Sequence, residues 1–175
     1  MINRIGLACL AAILTCTCCT GFVAAADELR ITFLHVNDVH GQLEPTTQGR
    51  HSIGGYARLS TAISRIRQTH PTDKLFLIHA GDEFSRGDEL TAQSVGSANI
   101  ELMNYLRFDI WTPGNGDFYI GLPSLKARIA QATCKVVGAN VTERIGGKKF
   151  TEPFVIEQAG PIKVAFLGLC FTRVE

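Results

Sequence analysis

The sequence has no excess of charge of either sign. Its 175 residues carry 17 Lys and Arg against 16 Asp and Glu. No charge run accompanies that balance, so nothing steers the chain electrostatically toward a nucleic-acid polymer or an acidic membrane surface. Repeats and low-complexity tracts are also missing, and no linker divides the chain. What remains is one domain of ordinary size with room for a real hydrophobic core. Cysteine is scarce beyond the amino end, where only Cys134 and Cys170 occur. Neither has a Cys or His nearby at zinc-finger spacing, which argues against a structural zinc module. Two thiols in an oxidising compartment could pair, but sequence does not show whether their Cα atoms approach. Two buried, unpaired cysteines are the expectation.

The long apolar run is confined to the amino end. Met1-Ile2-Asn3-Arg4 is a short basic start, followed by an apolar stretch from Ile5 to Ala26. It closes on Ala24-Ala25-Ala26 before Asp27 and Glu28, a small-x-small cleavage signature, so residues 1–26 are expected to be a signal peptide. The alternative is an uncleaved membrane anchor. Cleavage implies an exported chain, periplasmic or secreted, with no stable membrane association. It also removes Cys9, Cys16, Cys18 and Cys19.

Three apolar runs each lead into a short acidic or amide motif. Ile31 to Val36 precedes Asn37-Asp38-Val39-His40-Gly41, Leu75 to Ala80 precedes Gly81-Asp82, and Phe108 to Pro113 precedes Gly114-Asn115. Each run reads as a buried strand opening into a loop. Between them Tyr56, Leu59, Ile63 and Ile66 fall at helical spacing, as do Ile100, Met103 and Leu106, and then Leu122, Leu125 and Ile129. Strand and helix therefore alternate to about Val141, which predicts an α/β fold with a largely parallel sheet. Beyond it, Phe154-Val155-Ile156 and Ile162 to Leu169 read as strands joined by a turn at Ala159-Gly160-Pro161.

If the first three strands are parallel neighbours, Asp38, His40, Asp82 and Asn115 converge on one sheet edge, where open α/β sheets place ligands. Oxygen and imidazole donors there suit a pair of divalent ions. Asp38 and His40 are two apart, so on an extended backbone they share a side. Asp82 follows Gly81, which permits a tight turn, and its carboxylate can bridge two cations. Asn115 offers a neutral amide oxygen. Taken singly, each motif is as easily a plain loop turn, since Gly, Asp and Asn favour turns.

Together these stretches resemble the amino-terminal part of the metallophosphoesterase domain in the 5′-nucleotidase and UDP-sugar hydrolase family. The matching segments are Ile31 to Gly41, Gly54-Gly55-Tyr56-Ala57-Arg58-Leu59, Ala80-Gly81-Asp82, Gly114-Asn115 and Gly138-Ala139-Asn140-Val141. The resemblance spans about Leu29 to Leu169, so residues 27–175 are expected to form the amino-terminal part of such a domain. It implies a four-layer αββα sandwich, incomplete here at the carboxyl end, and a hydrolase of small phosphoesters or nucleotides. It further implies two divalent ions such as Mn or Zn, with Asp38 and His40 on one, Asp82 bridging and Asn115 on the other. Further His ligands would come from a carboxyl-terminal half.

The third motif departs from that family. Gly116 and Tyr119 stand where a catalytic His and its orienting Asp are expected, so no catalytic residue is assigned. Of the other histidines, His79 is expected in a central strand as a satisfied core residue close enough to support the metals from behind. His51 is expected in a loop before Gly54-Gly55 and is the candidate to touch substrate. His35 reads as structural and His70 as an exposed turn. Three functions compete: a divergent nucleotidase-like hydrolase, a non-catalytic metal- or ligand-binding relative, and a hydrolase of thiosulfohydrolase type with another substrate.

Overall fold

The computed structural model describes residues 28–85 and 87–171. The expected signal peptide at 1–26 lies outside the described residues. No helix among the described residues is long and apolar enough to cross a membrane.

The described chain runs β1 (Ile31–Val36), β2 (Thr46–Gln48), β3 (His51–Ile53), α1 (Tyr56–Thr69) and β4 (Lys74–His79). It continues with α2 (Glu89–Ser94), α3 (Ser97–Leu106), β5 (Ile110–Trp111), a 3₁₀ helix (Asn115–Ile120) and α4 (Leu122–Gln131), and ends with β6 (Lys135–Val136), β7 (Phe154–Ala159) and β8 (Ile162–Leu167). The four strands β1-β4-β5-β6 form one sheet in that order, all parallel. The alternating strands and helices of the sequence thus produce the parallel sheet they predict. The third run is shorter than its apolar pattern suggests, because Phe108 is buried ahead of the strand and only Ile110 and Trp111 pair.

Side-chain alternation along the strands separates two faces. Leu34, Leu75, Leu77, Trp111 and Val136 face a core completed by Ile63 of α1, Ile100, Met103 and Leu106 of α3, and Leu125 of α4. Each helix therefore buries the apolar stripe its spacing defines. The opposite face carries Phe33 and Phe76, stacked at 5.9 Å between ring centroids. There β7 and β8 pair antiparallel, and Phe166 of β8 packs edge-on to Phe76 at 4.9 Å. The described residues thus supply a helical layer, the parallel sheet and a two-stranded second sheet.

The second sheet is tied back through Asn140. Its side chain donates to the Cys170 carbonyl at 2.6 Å and accepts from the Cys170 N–H at 2.8 Å. Cys134 and Cys170 are both free thiols, as expected, but only Cys170 is buried and Cys134 is half-buried. Burial pushes Cys134 up to about 11, which keeps it a small apolar filler. Two local elements escape the sequence pattern. The short α2 carries no apolar stripe of its own, and β2–β3 is an exposed antiparallel hairpin.

Candidate metal centre

The first two motifs are joined by backbone. The β1–β4 ladder continues past the strand ends, with Ala80 N–H donating to Val36 O, Asp38 N–H to Gly81 O at 2.9 Å and His40 N–H to Asp82 O at 2.8 Å. The backbone of these loops nevertheless leaves the extended region that a regular parallel ladder uses. Asp38, His40 and Asp82 accordingly sit at φ 54°, 51° and 59°. The extended segment expected from Asp38 to His40 is therefore replaced by a left-handed one. Among the described residues five non-glycines have positive φ, and three of them are these candidate ligands. That conformation is strained for residues with a Cβ, and such strain persists where surrounding structure enforces it.

The consequence is a cluster. One donor atom each from Asp38, His40 and Asp82 lies within 4.8 Å of the others. His40 Nε2 is 3.5 Å from Asp38 Oδ1 and 4.0 Å from Asp82 Oδ2. Donors placed about 2.1 Å from a shared centre are themselves about 3–4 Å apart, so the spacing suits a divalent cation seated among them. Two carboxylates and an imidazole are also the donor chemistry such ions take.

The third motif reaches the same edge but not as a loop. Asn115 opens the 3₁₀ helix, and the next residue, Gly116, donates its N–H to Asp82 Oδ1 at 2.7 Å. Gly81, at φ 105°, allows the two loops to touch. A Cβ there would meet the Gly114 N at 2.7 Å. Asn115 is thus carried next to Asp82 by its neighbour's bond. Tyr119, at the expected orienting position, is 73% exposed, and Gly116 is buried.

His79 is fully buried beneath this edge. Its Nδ1 accepts the Gly81 N–H at 3.2 Å, so Nε2 carries the proton and faces Glu83 Oε2 at 2.7 Å. Glu83 Oε1 accepts from Asn99 Nδ2 at 2.7 Å. His79 is therefore in the core as expected, but its Nε2 and Glu83 Oε2 face each other without hydrogen-bond geometry, and the Nδ1 bond to Gly81 braces the loop bearing Asp82. His51 lies in β3, an exposed strand rather than the expected loop. His35 is exposed on the face opposite the helices, while His70 ends α1 with Nδ1 3.4 Å from Asp73.

Two supporting residues were not picked out from sequence. The buried Asp117 carboxylate accepts N–H groups from Asp82 at 3.1 Å, Glu83 at 2.6 Å, Phe84 at 3.1 Å and Gly114 at 2.8 Å. It knots the second and third motifs together. Burial raises its carboxyl from 3.8 to about 6, with those N–H donors and His79 pulling it back down. Ser85, also buried, places Oγ 2.6 Å from His40 Nδ1. An acidic residue two beyond Asn115 was the one available signal for Asp117. Nothing in the spacing marks Ser85.

Comparison with known proteins bears on family and fold. The family model described as calcineurin-like phosphoesterase matches residues 31–160. A snake venom 5′-nucleotidase of Crotalus adamanteus is 30% identical over 86% of this chain and 27% of its own. The 5′-nucleotidase precursor of Thermus thermophilus superposes with TM-score 0.70 at 29% identity, over 80% of this chain and 28% of that one. A sulfate thiohydrolase, SoxB, of the same organism gives TM-score 0.75 at 15% identity, over 85% of this chain and 37% of that one, a likeness of fold. The chain spans about a quarter of the length of the curated relatives it matches. Metallophosphoesterase-type neighbours account for the α/β layering, the family implies divalent metal ions, and the chain belongs to the calcineurin-like phosphoesterase family.

Proposed function

We propose that this chain forms the metal-binding part of an exported, nucleotidase-like phosphoester hydrolase. In this reading Asp38 and His40 hold one divalent ion, Asp82 bridges and Asn115 holds a second. The observation that carries it is the enforced left-handed backbone at Asp38, His40 and Asp82, which brings three donors within 4.8 Å. Divalent ions bound there supply positive charge for phosphoryl oxygens and lower the pKa of a water. The protein's own residues hold the donors in place. Gly116 N–H fixes Asp82 Oδ1, and Asp117 gathers the two loops. The relatives' names point to a nucleotide or another small phosphoester as substrate.

Protonation of the leaving oxygen is the weak step. Gly116 has no side chain and Tyr119 faces solvent, so the expected acid is missing, at a typical cost of ~10²–10⁴-fold in rate. The same observation supports a second reading, a relative that binds metal or ligand without turnover.

Phosphate release separates the readings. The purified protein is stripped with chelator, reloaded with Mn²⁺, and assayed on nucleoside monophosphates and nitrophenyl phosphate. The hydrolase reading expects metal-dependent release, faster on the nitrophenyl ester and abolished by Asp38→Ala with Asp82→Ala. Release that survives both stripping and substitution overturns it. Tight Mn²⁺ binding without release favours the second reading.

A further inference from the structure

We propose that Ser85 is a positioning residue for His40: its hydroxyl accepts the Nδ1–H of the imidazole and so fixes which nitrogen faces the metal cluster. The inference rests on the reading of Asp38, His40 and Asp82 as metal ligands, and it adds a residue that the cluster's donor set does not contain.

Three observations meet at Ser85. Its Oγ is 2.6 Å from His40 Nδ1, while the other nitrogen, Nε2, lies toward Asp38 Oδ1 at 3.5 Å and Asp82 Oδ2 at 4.0 Å. An imidazole can bind a cation only through an unprotonated nitrogen, so the proton must reside on Nδ1 if Nε2 is the donor. A hydroxyl oxygen at hydrogen-bond distance from Nδ1 can accept the proton of that tautomer. Metal-binding imidazoles are generally oriented by such a partner on their second nitrogen.

The hydroxyl also has its space reserved. Ser85 is buried, and it approaches the backbone of Gly116 so closely that a Cβ there would stand 2.7 Å from Ser85 Oγ. The same Cβ would stand 3.0 Å from Asp82 Oδ1. Glycine at 116 is what lets the serine lie between His40 and the 3₁₀ helix while Gly116 N–H holds Asp82. Ser85 Oγ thus lies between the His40 ring and the Gly116 backbone, whereas the first and second motifs are joined by the backbone bonds of Asp38–His40 with Gly81–Asp82.

The strained backbone adds a reason for a dedicated partner. His40 sits at φ 51° and its ring is only half-buried. A flip about χ2 would exchange the two nitrogens. The Ser85 hydroxyl is the polar side-chain partner recorded at Nδ1 and opposes that exchange.

The test reads the tautomer directly and does not depend on turnover. The full chain is labelled with ¹⁵N at histidine, freed of metal, and studied by long-range ¹H–¹⁵N correlation at alkaline pH, where the imidazole is neutral. Wild type should show His40 protonated on Nδ1. In Ser85→Ala this preference should be lost, and Mn²⁺ affinity measured calorimetrically should fall by about 10–100-fold. Ser85→Thr, which keeps the hydroxyl, should recover the tautomer and most of the affinity. A wild-type His40 protonated on Nε2, or a Ser85→Ala chain that binds Mn²⁺ as wild type does, overturns the role of Ser85. Absence of Mn²⁺ binding by wild type, with the Nδ1–H tautomer intact, would instead sink the metal reading on which it rests. That outcome leaves the hydrogen bond itself established.

Discussion

The carboxyl edge of the parallel sheet and the β7–β8 hairpin are built from opposite materials. The hairpin pairs in continuous register from Phe154↔Leu167 to Ala159↔Ile162, and its one left-handed residue is the glycine of the turn, Gly160 at φ 57°. The edge holds three non-glycine residues in that same region and steadies them with buried polar side chains: Asp117, Glu83 and His79. The hairpin is held by apolar contact and ordinary strand geometry, whereas the edge is held by hydrogen bonds to ionisable groups. Backbone strain here sits where function is proposed, as expected when ligand geometry, rather than stability, selects the conformation.

The largest effect should come from the hub of the edge. Asp117→Ala strands buried N–H groups of Asp82, Glu83, Phe84 and Gly114, and buried orphans cost about 1–3 kcal/mol each. With partial relaxation, a loss of about 3–5 kcal/mol is expected by urea unfolding. A loss below about 1 kcal/mol would mean that these loops do not depend on the carboxylate.

The hairpin should respond more mildly and to apolar truncation only. Phe166 is half-buried against Phe33 and Phe76, so Phe166→Ala should cost about 2 kcal/mol, less than a fully buried Phe. Its effect should add to that of Asp117→Ala, since the sites share no partner. Strong coupling between the two would erase the distinction between the regions.

Acid titration distinguishes them again. A folded carboxyl at about 6, above its ordinary 3.8, means the folded state holds the Asp117 proton more tightly. The unfolded chain then binds fewer protons between those values, so stability is greatest below 3.8 and declines as pH rises through about 6. Metal-free protein should show that decline in its urea midpoint, and Asp117→Asn should flatten it. An unchanged slope in the variant would assign the titration to another group.

The smallest effect has the opposite sign. Asp38 has a largely exposed side chain in a left-handed backbone, so Asp38→Gly should stabilise the metal-free chain by about 0.5–1 kcal/mol while weakening Mn²⁺ binding. Destabilisation instead would show that the carboxylate holds the loop without metal.

Much of the fold was legible because it follows from periodicity. The stripe of Tyr56, Leu59, Ile63 and Ile66, the apolar run before Gly81 and the turn at Gly160 each need only neighbours in sequence to be read. The runs before Asp38, Asp82 and Asn115 also placed those residues at one sheet edge, since parallel strands share a direction. The short α2 and the exposed β2–β3 hairpin were not legible, because neither carries the apolar pattern that marks an element facing a core.

The sequence by itself determined the alternation of strand and helix and the residues at the strand ends. Both depend on residue identity and local spacing. Only the tertiary structure decided that Asp38, His40 and Asp82 adopt left-handed backbone, that Asp117 binds two motifs together and that Ser85 reaches His40. Each of those depends on contacts between residues 33–45 apart in the chain, where distance in sequence carries no record of distance in space. Local propensity opposes the left-handed turns, and the ladder between two loops imposes them.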